Sequence, residues 1–462
     1  MTRKIAIIGG GADAISVLLN CVGGRDTIDS VYQDDEIVWI RDCKHPIDEY
    51  KCISIESEFT EVIGENTTLN VLHFSQLLDG KQKWGKKFIG FGNITPHNFF
   101  VMYEPTHVGW HLNESKLVEL FWNNYTNTAR NVRLIDANVP NIDVQDDYIK
   151  VLDEQYDFVI DCTRGSLWDH NSYSESLYNP TTATLSISVE KEAKFNYTAH
   201  IAAKNGYITG IPTKDKQTWI YSYDKDITTK EDATHDFNQY CDVSNYGLLE
   251  YKEYDKLLSD YCIHSNNRYA RCGRALGFND ELNNFKNYLE CDLAEAIAIY
   301  LFEDPERQQT EYQRLDVEER YDDGKIDYVS SLGFYLQFGS QHKTKFWEQT
   351  RINACHTLEN RKYFDISENL IQYDYLKMNE RIPLHENIRL DYFRRLAEDE
   401  QRLRQKMTVN SDEPYRLLGS YQIFTETIRG LGSPYANKFP VMVPYIESKE
   451  PYGEINLDPI EL

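Results

Sequence analysis

The stretch KIAIIGGGADA, residues 4–14, decides the fold. Its first five residues form a short apolar run, which is typical of a buried β-strand. Three glycines follow, and the apolar run at residues 14–19 favours a helix. A strand, a glycine-rich turn and a helix in this order are typical of the first half of a dinucleotide-binding βαβ unit.

The glycine turn fits the pattern G-x-G-x-x-A through Gly9, Gly11 and Ala14. In such a loop the first glycine permits the tight turn, the second lets the backbone approach a pyrophosphate, and the third small residue allows close packing of helix and strand. The amides at the start of the helix then face the phosphates. An ordinary glycine-rich turn is the alternative. Asp42, just after a second predicted strand at residues 36–40, is our choice for the ribose contact, with a surface acid as the alternative.

The rest of the chain divides by pattern. Residues 156–160 read as another strand of a parallel sheet. Residues 183–188 and 206–223 alternate polar and apolar residues between Gly and Pro, which favours an antiparallel sheet. After residue 283 the pattern turns helical, most clearly at residues 293–302 and 386–407.

We therefore expect an α/β fold. Residues 1–290 would form a Rossmann-like nucleotide-binding module, with an antiparallel sheet inserted at about 175–260. Residues 291–462 would form a mainly helical, substrate-side region.

Composition excludes several classes of partner. The 462 residues carry 49 basic and 74 acidic side chains, a formal charge of −25, which disfavours nucleic acid and anionic membranes. No apolar run reaches the ~18 residues of a transmembrane helix, and no secretory signal is recognisable. The nine cysteines are scattered without a CxxC pair, so neither a metal site nor a disulfide framework is predicted. These observations favour a soluble protein of the reduced cytoplasm.

A second set of motifs lies downstream of the loop. They are IGENTT at 63–68, KKFIGFGNI at 86–94, DCTRG at 161–165, GYITGIP at 206–212, RCGRALGF at 271–278, LECDL at 289–293 and Phe346-Trp347. Together they resemble the flavin-dependent halogenases of the tryptophan-halogenase type. The resemblance runs from about residue 4 to 355, and a phage-encoded member is one candidate.

The resemblance implies FAD, used as FADH2, and extends the flavin site. Gly64 and Glu65 match the family's G-E-x-T strap over the flavin. Asp161 matches the D-C-S-G turn. Gly273 and Ala275 match the G-x-A-x-G-F flavin turn.

The resemblance also implies the reactive residues. Lys86 falls on the catalytic lysine; Lys87 is the alternative if the register slips by one, and two lysines on a solvated strand edge are the other reading. Glu290 falls on the catalytic glutamate. An apparent insertion at residues 279–288 precedes it.

Asp292 and Leu293 fall where backbone amides bind halide. We expect a helix to start here, which would attract an anion. Asp292 with Glu295 also fits an N-terminal capping box, and the negative charge of Asp292 opposes a halide.

The substrate side is the most altered part. The family's W-x-W-x-I-P segment keeps Ile211 and Pro212 here, but Tyr207 and Thr209 replace its tryptophans. Because those tryptophans separate the organic substrate from the flavin in the family, this change weakens the case for halogenation against oxygenation. Phe346 and Trp347 match a structural Phe-Trp.

The implied chemistry is that of a halogenase. A flavin hydroperoxide oxidises chloride, bromide or iodide to hypohalous acid, Lys86 holds that acid, and Glu290 assists as an electron-rich aromatic ring is substituted. A separate flavin reductase supplies FADH2, and a homo-oligomer is left open.

Two other readings stay open. A flavin monooxygenase that hydroxylates aromatics would share the glycine loop and the Gly273 turn without needing Lys86 or Glu290. A degenerate FAD-binding protein would explain the lost tryptophans and the replacement of a family serine by Cys291.

Overall fold

The computed structural model describes most of the first 359 residues. The described ranges are 2–27, 35–43, 52–55, 78–83, 85–92, 98–102, 109–124, 132–163, 167–175, 179–193, 195–241, 249–279, 282, 285–302, 311–336 and 338–359. Gly64, Glu65 and the predicted helix at 386–407 lie outside these ranges.

The described helices follow one another along the chain with strands between them. They are α1 (Ala12–Thr27), α2 (Glu114–Asn124), α3 (Lys230–Asn238), α4 (Phe285–Phe302), α5 (Glu311–Leu336) and α6 (Lys345–Glu359), with a 3₁₀ helix at Gly273–Leu276. Among the helices of these ranges, none is long and apolar enough to cross a membrane.

The described strands fall into two principal sheets and three small ones. In chain order they are β1 (Lys4–Ile8), β2 (Glu36–Arg41), β3 (Cys52–Ile55), β4 (Lys81–Lys83), β5 (Gly85–Ile89), β6 (Asn98–Met102), β7 (Gly109–Asn113), β8 (Val132–Asp136), β9 (Asp143–Val144), β10 (Ile149–Val151), β11 (Glu154–Tyr156), β12 (Phe158–Asp161), β13 (Tyr173–Glu175), β14 (Ala183–Val189), β15 (Thr198–Ala203), β16 (Gly206–Pro212), β17 (Gln217–Tyr223), β18 (Glu250–Glu253), β19 (Leu257–Ser259) and β20 (Tyr269–Arg271).

The first principal sheet is parallel, with strand order β20-β12-β1-β2-β8. Strands β1 and β2 are apolar on both faces and almost wholly buried, as expected when helices cover both sides of a parallel sheet. Helix α1 connects β1 to β2. The prediction of an α/β, Rossmann-like fold is therefore confirmed, and the glycine loop lies at the carboxyl edge of this sheet.

The second principal sheet has strand order β18-β14-β17-β16-β15-β5-β6. The predicted antiparallel pairing of residues 183–188 and 206–223 is confirmed, because β14, β17, β16 and β15 pair antiparallel in succession. The sheet is not confined to the predicted segment at 175–260. Strands β5 and β6 from residues 85–102 extend it, and β5 runs parallel to β15.

Two predicted boundaries are wrong. The strand predicted at residues 156–160 is split, because Tyr156 ends β11 and pairs with Ile149, whereas β12 begins at Phe158. Helix α4 begins at Phe285 instead of at Asp292 and Leu293, so the end of the apparent insertion forms its first turn. The division of the chain at residue 290 falls within α4 and stays a prediction.

Arg271 ties β20 to its surroundings. The side chain is fully buried. Its guanidinium donates to Ser259 Oγ at 2.7 Å and to the carbonyls of Asp169 and Ser172 at 2.9 and 3.1 Å. Its Cζ also lies 4.3 Å from the ring centroids of Tyr173 and Tyr261. The planar cation therefore clamps loops around the carboxyl end of the parallel sheet.

We expect Arg271→Lys to lower the free energy of unfolding by about 3 kcal/mol, because lysine keeps the charge but loses the planar fork and buried acceptors lose their donors. Chemical denaturation measures the change. Arg268→Lys is the matched control: the partly exposed Arg268 also donates to backbone carbonyls, and we expect it to lose under about 1 kcal/mol. Equal losses would contradict the assigned role of Arg271.

Candidate active site

Gly9 forms the tight turn after β1. Its φ of +143° lies outside the range that residues with a side chain readily adopt, and a Cβ there would lie 2.8 Å from the carbonyl oxygen of Cys162. Its amide donates to the Ile40 carbonyl at 3.0 Å, and its carbonyl accepts from Trp39 Nε1 at 2.8 Å. The glycine loop and the Asp161-Cys162 turn are therefore in direct contact.

Gly273 makes the corresponding contact from the other motif. Its φ is +59°, and a Cβ there would lie 2.4 Å from both Cβ and Oδ2 of Asp13. The 3₁₀ helix thus closes onto the first turn of α1. Two motifs separated by some 260 residues meet at one edge of the sheet, as expected if both hold the same ligand.

The other predicted cofactor residues lie at or near this edge. Ala14 is fully buried in the first turn of α1, which fits the expected close packing of helix and sheet. Ala275 is buried in the 3₁₀ helix and accepts from the Tyr173 hydroxyl at 2.6 Å through its carbonyl. Asp42 is partly exposed and follows the last residue of β2, the neighbour of β1.

Asp161 organises its own turn. Its carboxylate accepts from the Thr163 amide at 2.8 Å, from the Leu167 amide at 2.9 Å and from the Tyr269 hydroxyl at 2.7 Å. Burial raises the pKa of this carboxyl, and hydrogen bonds from Thr163 and Tyr269 oppose that shift. The carboxylate thus shapes the turn, and its place in a flavin site stays a prediction. Burial also raises the pKa of the adjoining Cys162 thiol well above its ordinary value.

Two carboxylates and an arginine adjoin the glycine loop, and the motifs gave no signal of their contact. Glu114, the first residue of α2, accepts from Arg274 Nη2 at 3.1 Å and from the Ala12 amide at 3.1 Å. Asp13 accepts from the amides of Ala14 and Arg274 at 3.0 and 3.2 Å. Burial raises the pKa of Asp13, the charge of Arg274 opposes this, and the charge of Glu114 adds to it.

The site fits a dinucleotide cofactor. The Gly9–Gly11 loop stands between a buried parallel strand and a helix, and its close approaches exclude side chains where a diphosphate must come near the backbone. The residues that would hold FAD are Gly9, Gly11, Arg274 and the Gly273 turn. Asp42 would contact a ribose.

The two candidate lysines face opposite sides of the second sheet. Lys86 pairs with Thr198, and Lys87 pairs with Ala199. The face of Lys86 also carries Phe88, which packs in the main core, a hydrophobic cluster that includes Tyr207, Leu293 and Trp347. Lys86 is only 7% exposed.

Lys87 belongs to the other face. Its ammonium lies 5.8 Å from the ring centroid of Tyr197. That ring packs against a second core, which includes Ile89, Ala199 and Ile201. Both lysines are buried, so the alternative of two lysines on a solvated strand edge is wrong. The two lysines therefore lie on sheet faces that pack in different hydrophobic cores.

His200 is a buried residue near Lys86 that the motifs did not indicate. It pairs with Thr209 across β15 and β16, and its Nδ1 lies 3.2 Å from Thr209 Oγ1. Its Nε2 has no hydrogen-bond partner among the described residues. Burial lowers the pKa of His200 well below its ordinary value, and the charges of Lys86 and Lys83 act in the same direction. Burial and both charges thus favour the neutral imidazole.

The predicted substrate-side residues lie together in the interior. Tyr207 and Phe346 have ring centroids 6.4 Å apart, and Trp347 Nε1 donates to the Ala203 carbonyl at 2.8 Å. These three side chains are at most 2% exposed and belong to the main core, while Thr209 is 1% exposed. Their contact with substrate stays a prediction, since packing accounts for their positions.

Glu290 lies in the second turn of α4 and is 7% exposed. Its backbone carbonyl accepts a weak hydrogen bond from Cys272 Sγ at 3.8 Å. Leu289 fixes this turn against α5, where a Cβ on Gly324 would lie 2.1 Å from Leu289 Cδ1. Glu290 is thereby tied to the Gly273 turn from one side and to α5 from the other.

Asp292 and Leu293 do not lie at a helix start. Because α4 begins at Phe285, their amides fall inside the helix, where the carbonyls four residues earlier are their partners. The helix-start argument for a halide site, and the capping box of Asp292 and Glu295, are therefore wrong. The assignment of Asp292 and Leu293 to halide rests on the family resemblance alone.

Comparisons with known proteins agree with this geometry. A family profile described as tryptophan halogenase matches residues 93–364, more than half of the chain. The chain belongs to the tryptophan halogenase family. It is thus a flavin-dependent halogenase by family, an oxidoreductase class that uses FADH2 and O2. No curated protein matches the sequence, and the phage origin stays a prediction.

Solved structures support the fold. The tryptophan halogenase of Shewanella frigidimarina matches with a TM-score of 0.66 and 16% identity over 93% of this chain and 98% of that one. A flavin-dependent halogenase of Xanthomonas campestris matches with a TM-score of 0.65 and 10% identity over 95% of this chain and 92% of that one. The tryptophan 6-halogenase of Streptomyces toxytricini matches with a TM-score of 0.64 and 12% identity over 78% of this chain and 85% of that one. At such identities the likeness shows the fold alone.

Asp292 makes the free energy of unfolding of this halogenase-family chain depend on pH. Burial raises the pKa of Asp292 above its ordinary 3.8, and Arg320 opposes that shift. A raised folded-state pKa stabilises the protein at low pH, and that stability is lost as the pH rises through the folded value. Asp292→Asn removes this loss. We therefore expect its free energy of unfolding to improve relative to the parent between about pH 4 and pH 7.

Urea denaturation of Asp292→Asn and the parent protein at both pH values measures the difference. A difference between the two proteins that is the same at both pH values contradicts the assigned burial of the charge.

Proposed function

We propose that the protein oxidises a halide to hypohalous acid and uses it to halogenate an electron-rich aromatic small molecule. Oxygen would supply the oxidising equivalents, and FADH2 would activate it by giving up two electrons, so that halide and FADH2 are oxidised together. The observation that carries the proposal is the position of Lys86, a nearly buried amine on the sheet face that packs with the main core. The family membership supplies the reaction class.

Lys86 is the residue we assign to the oxidant. Its amine can donate a hydrogen bond to hypohalous acid or be halogenated by it, and either interaction keeps the oxidant from diffusing away. The side chain is held on a rigid strand, because β5 pairs with both β6 and β15. A reactive group on such a scaffold keeps its position better than one on a loop.

Glu290 is the residue we assign to proton transfer. Its carboxylate would accept the proton that the aromatic ring loses on substitution, or polarise the oxidant. It is nearly buried and lies on α4, which also packs along α1. The helix that carries Glu290 is therefore packed against the helix that begins at the glycine loop.

Substrate, halide and reductase complete the proposal. An indole, phenol or pyrrole has the electron density that electrophilic halogenation requires. Chloride, bromide and iodide are all candidate halides, and the proposal of Asp292 and Leu293 as halide-binding residues rests on the family resemblance alone. A separate flavin reductase would supply FADH2.

Aromatic hydroxylation is the second candidate function. Thr209 stands where the family carries a tryptophan, and its side chain is hydrogen-bonded to His200 instead of filling the space of an indole. A side chain smaller than the family's tryptophan at this position favours direct access of an aromatic ring to the flavin. Halide dependence of the product separates the two reactions.

We expect Lys86→Met to lower halogenation by at least about 100-fold, because the amine that holds the oxidant is lost while the buried stem remains. The assay contains the full chain, FAD, a flavin reductase, NADH, oxygen, catalase and each halide in turn, with a panel of indoles and phenols. Mass spectrometry reports a halide-dependent mass gain. Addition of one oxygen without halide dependence would favour hydroxylation.

Lys87→Met is the matched control for Lys86→Met, since it removes the same group from the next residue on the opposite sheet face. We expect it to retain most of the activity once circular dichroism shows that both variants are folded. Loss of activity in Lys87→Met alone would move the assignment to Lys87. A fully active Lys86→Met would contradict the proposed lysine mechanism.

We expect Glu290→Gln to lower the rate of product formation roughly 100-fold, because the amide cannot take up the proton of the ring. Glu295→Gln is its control, an exposed glutamate on the same helix whose loss should leave the rate nearly unchanged. Single-turnover measurements with preformed FADH2 report the rate. Equal rates for the two variants would remove Glu290 from the mechanism.

A further inference from the structure

Glu114 reaches the glycine loop from outside the dinucleotide-binding motif. It begins α2, 102 residues after Ala12, yet its Oε1 accepts from the Ala12 amide at 3.1 Å. The residue is 1% exposed, so its charge is desolvated. The Ala12 amide stands at the start of α1, where the helix has unsatisfied N–H groups and its dipole favours an anion.

The carboxylate lies in the space that a cofactor phosphate needs. In G-x-G-x-x-A loops the second glycine leaves room for the pyrophosphate beside its Cα. A Cβ on that residue, Gly11, would lie 3.3 Å from Glu114 Oε1. The same atom that occupies the first helix amide thus borders the approach path of the phosphates.

Arg274 shares the same carboxylate. Its Nη2 lies 3.1 and 3.3 Å from the two oxygens of Glu114. Its backbone is fixed, because its amide donates to Asp13 Oδ2 at 3.2 Å. Its side chain is 23% exposed, so a ligand in solution can reach the guanidinium. A guanidinium fork binds carboxylate and phosphate with the same geometry.

We propose that Glu114 is a built-in competitor for the diphosphate of FAD. Its carboxylate satisfies the Ala12 amide and Arg274 in the free protein, and bound FAD takes both donors by displacing it. No covalent bond changes; two sets of hydrogen bonds exchange. The inference rests on the proposed function for the identity of the cofactor, and it predicts weakly held flavin that a separate reductase can deliver and reclaim.

Equilibrium binding of oxidised FAD and of riboflavin to the full chain tests this. Riboflavin carries the isoalloxazine ring without phosphates, so a diphosphate effect must spare it. We expect Glu114→Gln to bind FAD roughly tenfold more tightly than the parent, since it removes the competing charge and keeps the side-chain shape. Riboflavin affinity should not change. Isothermal calorimetry or quenching of flavin fluorescence gives both constants.

Glu119→Gln is the matched control. It removes the same charge from an exposed position on the same helix, and we expect its FAD affinity to equal that of the parent. Arg274→Gln is the second variant, and we expect it to bind FAD at least about tenfold more weakly with riboflavin unchanged. Circular dichroism confirms the fold of each protein before titration.

The inference is overturned if Glu114→Gln binds FAD no more tightly than the parent, or if it tightens FAD and riboflavin equally. Folded proteins that bind neither flavin would overturn both the inference and the proposed cofactor. Tightened FAD binding without any halogenated product would leave the inference standing and reject the proposed reaction. The two failures are therefore distinguishable.

Discussion

Close approach of backbone segments at two glycines is the constraint on which the candidate site depends. Gly9 lies against the Cys162 carbonyl, and Gly273 lies against the side chain of Asp13. Neither contact leaves room for a Cβ, so each holds together segments that are far apart in sequence. Because both contacts lie at the carboxyl edge of the parallel sheet, they form one continuous surface from three separate motifs.

The second sheet has a different purpose, since it separates two environments. Its strand β5 places Lys86 toward the main core and Lys87 toward the second core, although the residues are adjacent. Helix α4 completes the arrangement by packing on α1 and on the 3₁₀ helix that begins at Gly273. The elements that carry the glycine loop, the Lys86 amine and the Glu290 carboxylate are thus packed in one interior.

The parallel sheet could be predicted because β1 and β2 are apolar on both faces and the glycine loop identifies their connection. The start of α4 could not be predicted, because Asp292 and Glu295 have the residue types and spacing of a helix cap. Packing of Leu289 against Gly324 stabilises the turns that precede them. The contact of Glu114 with Arg274 joins residues 160 positions apart, and no sequence pattern indicates it. Lys86 could be nominated by its motif, but its burial required the paired strands.

The buried Cys162 has a consequence for self-protection. In the proposed reaction, hypohalous acid would expose the protein's own sulfur atoms to a strong electrophile, and the thiolate is the more reactive form. Burial raises the pKa of Cys162 well above its ordinary value, so this thiol stays protonated. Cys262 is fully buried with its pKa raised in the same way. If the proposed reaction takes place, the packing at this edge of the sheet would therefore shield both sulfurs from oxidation.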